Sequence, residues 1–220
     1  QKDLGLYKLP EHIECFDNSN TQGSYPVAAM VVFRDARPSR KEYRHYNIKT
    51  VEGPDDFASM TEVVFRRYKR LLDEKQPLPQ LVIVDGGKGQ LSSAVAALEK
   101  LDLQGKIPVI GIAKRLEEIY FPSDSIPVYI DKKSETLKII QHLRDEAHRF
   151  GITHHRNRRQ KGSLKSELMD IKGIGEKTGT QLLRKFKSVQ GIKNATPDEL
   201  AAEVGMPRAK ILKAYFGSEN

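Results

Sequence analysis

The sequence predicts a mixed α/β domain followed by a smaller all-α domain. Strand-like and helix-like stretches alternate over roughly the first 160 residues. Two wholly apolar runs, LVIV (81–84) and VIGI (109–112), sit on either side of an Ala/Leu-rich helical stretch. From Ser163 onward the apolar spacing is helical, with glycine-bearing turns and no convincing strand. At 220 residues, a prior of roughly 150 per domain leaves room for one ordinary domain and a small one.

The elements follow in order. Residues 12–16 and 27–33 are short apolar runs rich in β-formers, and 42–49 (EYRHYNIK) is a third strand candidate. Between the last two, 35–40 (DARPSR) reads as a hairpin turn. Over 55–73, Phe57, Met60, Val64, Tyr68 and Leu71 recur at helical spacing behind a Pro-Asp-Asp start. The LVIV strand ends in Asp85, glycines follow, and a helix is expected at about 90–101. After VIGI, 119–121 and 128–130 form a small hairpin. A helix from about Ser134 towards Arg149 then places Leu137, Ile140, Leu143 and Ala147 on one face. Three hairpin-linked strands followed by βαβ crossovers make a mixed sheet with helices packed on it. Ribonuclease H-like nucleases share that order with several unrelated α/β enzymes, so order alone does not decide function.

Composition narrows the class. The sequence contains no apolar run long enough to span a bilayer and no basic-then-apolar leader, so neither a membrane nor a secretory protein is expected. The single cysteine, Cys15, excludes a disulfide framework and a cysteine-rich metal site, and fits a reducing cytoplasm. The net charge of +8 is localised. Residues 1–148 hold 22 basic and 22 acidic side chains, 149–165 hold six Arg/Lys and no acid, and 166–220 hold nine basic and seven acidic. Such a basic block faces a polyanion or forms a solvated linker.

Three segments of the first domain carry chemical possibilities. CFDNSN (15–20) places Asp17 at the end of an apolar strand, where it is either a site carboxylate or part of an Asx-turn. VDGGKGQ (84–90) places Asp85 at another strand end, followed by glycines and a helix start. Open α/β sheets bind ligands at that edge, although glycines there also serve a tight strand-to-helix turn. RDEAHR (144–149) puts His148 at the edge of the long helix's apolar face, facing the sheet. If the strands of Asp17 and Asp85 are neighbours, two carboxylates converge and call for a hard divalent cation between them. Asp56 either joins them or, with Asp55, simply caps its helix. The other histidines, His12, His45, His142, His154 and His155, have no metal-ligand spacing.

The second domain has a sharper signal. DIKGIGEK (170–177) is an hGhG turn between two short helices, able to present backbone N–H groups to a phosphate without reading sequence. Further on, TPDEL (196–200) opens a helix, and Val204-Gly205-Met206-Pro207 leads into another, repeating the unit. Met206-Pro207 departs from the simplest hairpin pattern, which wants an apolar residue and then glycine.

FDNSN, GPDDFASM, RRYKRLL, VDGGKGQL, GIAKR, RDEAHRF and the tandem hairpins stand here in the order found in the UvrC family, the incision subunits of bacterial nucleotide excision repair. The resemblance covers essentially the whole chain and matches the C-terminal half of that family. The family's GIY-YIG module, cysteine cluster and UvrB-binding region have no counterpart in this sequence. The resemblance implies a ribonuclease H-like endonuclease domain over 1–155, a basic linker over 156–164 and a tandem helix-hairpin-helix domain over 165–220. It implies a cytoplasmic, metal-dependent enzyme of the DNA-damage and SOS response, cutting 5′ to a lesion with Mg²⁺ or Mn²⁺.

By the resemblance, the catalytic set falls on Asp17, Asp85 and His148, which also hold the metal, with a further aspartate most naturally at Asp56. Expected DNA contacts are Lys88, Lys114, Arg156, Arg158, Arg159, Lys161, Gly173, Gly175, Lys177 and Gly205. The partners implied are damaged, bubbled or single-stranded DNA, and UvrB for the longer protein; no membrane is expected. FDNSN places Asn18 where the family commonly has Ile, and its role is open. Two competing readings are a catalytically silent DNA-binding scaffold and a nuclease acting on RNA or junctions.

Overall fold

A computed structural model describes residues 1–19, 27–51, 53, 55–113 and 118–217, with the side chains of Ser19 and of 154–166 outside the description. The chain divides into two compact units, Gln1–His155 and Arg156–Asn220.

The first unit is built on a seven-stranded sheet ordered β3-β2-β1-β5-β6-β7, with β4 also paired to β2. Its strands are β1 (His12–Ser19), β2 (Val27–Arg34), β3 (Arg37–Pro38), β4 (Arg44–Asn47), β5 (Leu81–Asp85), β6 (Val109–Ala113) and β7 (Glu118–Tyr120). β1 lies parallel to β5, and β5 to β6, while β1 with β2, β2 with β4 and β6 with β7 are antiparallel. The hairpin expected at 35–40 is tight, with Asp35 and Ala36 at φ of 50° and 60°. Left-handed backbone at both central residues suits the right-handed twist of the flanking strands. The third strand is shorter than 42–49, because Arg40–Glu42 form a 3₁₀ turn first. Of the expected second arm at 128–130, a single bridge from Val128 to Ile119 forms.

Side-chain alternation sorts the strands onto two faces. Phe16, Met30, Val32, Val82 and Val84 meet α1 (Asp56–Asp73) and α2 (Lys88–Glu99) on one. Ile13, Cys15, Val31, Phe33, Leu81, Ile83, Ile110 and Ile112 meet α3 (Glu135–Met169) on the other, through Leu137, Ile140, Leu143 and Ala147. Fully covered faces explain why LVIV and VIGI are continuously apolar rather than alternating. Glu14 breaks the apolar pattern on the α1 face: wholly buried, it accepts from Arg67, from the Tyr68 hydroxyl (2.9 Å) and from His12 Nε2 (3.1 Å). Burial pushes the Glu14 carboxyl up, but the hydrogen bonds from His12 and Arg67 outweigh it and hold the group below its usual range.

α3 corrects one expectation: it does not end near Arg149, and its backbone runs on through the segment 156–164. Its Arg, Lys and Gln residues are good helix formers, and the segment contains no proline. Among the described residues no helix is long and apolar enough to cross a membrane.

The second unit has its own core, including Leu168, Ile171, Ile174, Leu182, Ile192, Leu200 and Leu212. Beyond the end of α3 it contains α4 (Glu176–Phe186), α5 (Val189–Asn194), α6 (Pro197–Val204) and α7 (Met206–Gly217). Thr196 and Glu199 cap α6 reciprocally, with Pro197 at its first turn.

Candidate active site and DNA-binding hairpins

Asp17 and Asp85 are brought together by sheet register. Phe16 pairs with Val84 in the parallel ladder, so the next residues, Asp17 and Asp85, stand side by side on the α3 face. They are 1% and 3% exposed. Two buried neighbouring carboxylates repel unless a proton or a cation separates them. α3 delivers His148 from the residue after Ala147, and its Nδ1 lies 3.1 Å from Asp17 Oδ2. One ligand atom from each of Asp17, Asp85 and His148 lies within 4.8 Å of the others.

That donor set fits a hard divalent cation. Carboxylate oxygens suit Mg²⁺ and Mn²⁺, and an imidazole nitrogen is tolerated by the softer of the two. An octahedral ion with bonds of about 2.1 Å separates adjacent donors by about 3.0 Å, and the contact between Asp17 and His148 already has that spacing, at 3.1 Å. Behind the site, Cys15 is completely buried. Desolvation, with Asp85 and Asp17 adding repulsion, drives its thiol well above the usual range, so it stays a neutral packing group.

At the start of α1, Asp55 is the cap, its Oδ1 accepting from the amides of Phe57 (3.0 Å) and Ala58 (2.9 Å). Asp56 is the first helical residue, half-buried, and lies outside the three-donor group. Its carbonyl accepts from Asn18 Nδ2 at 2.8 Å, which ties the end of β1 to the start of α1. That tie is a role for Asn18 that an isolated motif does not reveal.

A second feature the sequence did not expose is a row across the sheet. Asp17 pairs with Ala29, and Ala29 with His45, so His45 continues the row of Asp85 and Asp17 on one face. Its ring stacks on Phe150 with centroids 3.8 Å apart, and Nε2 lies 3.2 Å from the Phe150 carbonyl. Tyr43 meets the same ring edge-on at 5.1 Å. These contacts clamp α3 two residues beyond His148. His12 belongs to the buried Glu14 network, and His142 packs edge-on against Phe33 at 4.9 Å.

Of the expected DNA contacts in the first unit, Lys88 is exposed at the first position of α2, donating to the Ser125 carbonyl and lying 5.4 Å from the Tyr120 ring. Lys114 lies outside the described residues, as do the side chains of Arg156, Arg158, Arg159 and Lys161. In the second unit, Gly173 takes a φ of +98°, which an L side chain rarely adopts. Gly175 sits at the N-cap of α4 without a side-chain cap, and Lys177 is exposed in the first turn. That end of α4 is an array of backbone donors. Gly205, at φ +84°, is the counterpart before α7, where Pro207 removes one N–H from the first turn.

Residues 1–152 match the UvrC RNAse H endonuclease domain. The chain belongs to the UvrC family. Residues 165–213 match a SAM-like helix-hairpin-helix tandem. It is similar to the UvrABC system protein C of Christiangramia forsetii, 66% identical over 219 residues, covering all of this chain and 37% of that protein. The protein of the same name from Flavobacterium johnsoniae is 64% identical over 216 residues, covering 98% of this chain and 36% of the relative. That from Porphyromonas gingivalis strain W83 is 62% identical over 212 residues, with coverage of 96% and 35%. The chain thus spans little more than a third of the length of these UvrC proteins.

Proposed function

We propose that this chain is the part of a UvrC protein that cuts DNA on the 5′ side of a lesion in nucleotide excision repair, using Mg²⁺ or Mn²⁺. The observation that carries the reading is the convergence of Asp17, Asp85 and His148 at one sheet edge. A divalent cation held there would supply an activated water and charge neutralisation for phosphodiester hydrolysis. The two carboxylates would hold the cation between them. His148, 45% exposed against 2% for Asp17, reaches both the carboxylates and solvent, so it completes the ligand set or moves a proton. Asp56 supports the site from the start of α1. The α4 turn, and more weakly the α7 turn, grip DNA backbone without sequence preference, and the basic stretch from Arg149 to Lys165 guides the same strand. In the longer protein the chain acts with UvrB.

The test is nicking of a lesion-bearing duplex with a UvrB–DNA complex and Mn²⁺, using a UvrC protein that carries this chain. Asp17→Ala, Asp85→Ala and His148→Ala should each lower the rate of the 5′ cut by at least a hundredfold, with DNA binding retained. Undiminished cutting by all three variants rejects the site assignment.

A further inference from the structure

Phe57 is a large apolar residue left 56% exposed beside the candidate site. Its seat is specific. The ring occupies the space that a side chain at position 89 would need, so a Cβ on Gly89 would overlap it. Phe57 therefore bridges the two segments that carry the site carboxylates. On one side it follows Asp56, whose carbonyl is held by Asn18, the neighbour of Asp17. On the other it rests on the residue four beyond Asp85. At 3.8 Å per Cα step, Gly89 lies no more than about 15 Å from Asp85. Stacked nucleotides rise about 3.4 Å each, so Gly89, with the ring against it, stands within about four nucleotides of Asp85.

We propose that Phe57 is a stacking platform for a base of the strand being cut, setting which phosphate reaches the carboxylates. The proposal rests on the DNA-cutting reading above. An aromatic ring wedged against backbone gives a base a rigid π-face with little entropy left to lose, and it stacks any base without reading sequence. Exposed Lys88, next to Gly89, adds positive charge to the same rim. The apolar ring thus serves a ligand that is flat, unsaturated and tied to an anion, as an unstacked nucleotide at a bubble or nick is.

The chain contains no tryptophan, so Phe57→Trp introduces a single fluorophore at the platform. In an Asp85→Asn background, which keeps the strand intact, the indole of F57W should be quenched by a bubbled duplex. The control Tyr7→Trp, at a 99% exposed site before the start of β1, should stay unchanged. Phe57→Ala should weaken bubble binding, read by anisotropy, roughly 5- to 100-fold. Phe57→Tyr should bind like the parent chain. A silent indole in F57W while anisotropy reports binding overturns the platform and leaves the nuclease reading intact. Absence of any binding by the parent chain overturns both. Equal quenching in Y7W also overturns the platform, because the signal would not be local.

Discussion

Glu14 and Asp17 are three residues apart on one strand and illustrate two fates of a buried carboxylate. Glu14 is matched on every side by Arg67, Tyr68 and His12. It pins α1 to the sheet. Replacing it with Gln leaves the Arg67 guanidinium, whose side chain is 14% exposed, without its counter-charge. Glu14→Gln should cost about 3 kcal/mol, read as a lower denaturant midpoint at unchanged slope. The surface pair of Lys69 and Asp73, both more than half exposed, makes a control: Lys69→Ala should change stability by less than about 0.5 kcal/mol. Asp17 instead shares its space with Asp85 and His148. Asp85→Asn removes one of the two repelling charges, so it should leave the melting temperature equal or higher while abolishing Mn²⁺ binding. A fall of several degrees would mean that Asp85 is structural.

At the scale of elements, the β2 to β3 hairpin holds non-glycine residues in a demanding turn. Ala36 sits at φ 60°, a left-handed backbone that costs an L residue about 1 kcal/mol. Ala36→Gly should raise the melting temperature by about 2 °C, and an unchanged or lower value would reject the strain. Nearby, Glu42 is bound by Arg34 and Ser39, and its carboxyl falls to about 2. Its folded value is depressed, so its contribution is complete above the ordinary range near 4.5 and disappears as pH falls towards about 2. The stability difference between the parent chain and Glu42→Gln should therefore be constant from pH 6 to about 5, shrink progressively below that and vanish near pH 2, as urea titrations would show. The strands and helices of the first unit were legible from apolar spacing because both sheet faces are covered. The end of α3 was not: past Phe150 its apolar stripe fades, and what continues it is the intrinsic preference of Arg, Lys and Gln, which periodicity does not register. The tie from Asn18 to the Asp56 carbonyl and the clamp from His45 onto Phe150 join residues 38 and 105 positions apart. No local pattern encodes such contacts.

For the whole molecule, the two units have cores that share no residue among those described. Calorimetry should resolve two transitions, with a calorimetric enthalpy larger than the van't Hoff value. Gly173→Ala forces a side chain into left-handed backbone and to 3.1 Å from Ile211 Cδ1. It should lower the melting temperature of the smaller unit alone, and a matching shift of the larger one would show a single cooperative fold. Salt should weaken DNA binding steeply, as backbone contacts release counterions. Gly175→Ala should weaken binding at every salt concentration tested, since its Cβ enters the open space in front of the amide donors and removes no charge. Charge located the basic block, since 22 acids balance 22 bases up to His148 and the excess begins at Arg149, but charge alone left a polyanion-facing role and a solvated linker both open. Pairing Asp17 with Asp85 needed the strand register.

The chain's one cysteine stands two residues before Asp17, sealed beneath the same helix that carries His148. A thiol reagent reaches Cys15 only when β1 and α3 part, and that parting also scatters the three donors. Alkylation rates under native conditions therefore act as a clock for the lifetime of the assembled site. Divalent cation that binds only the assembled form should slow that clock in proportion to its occupancy.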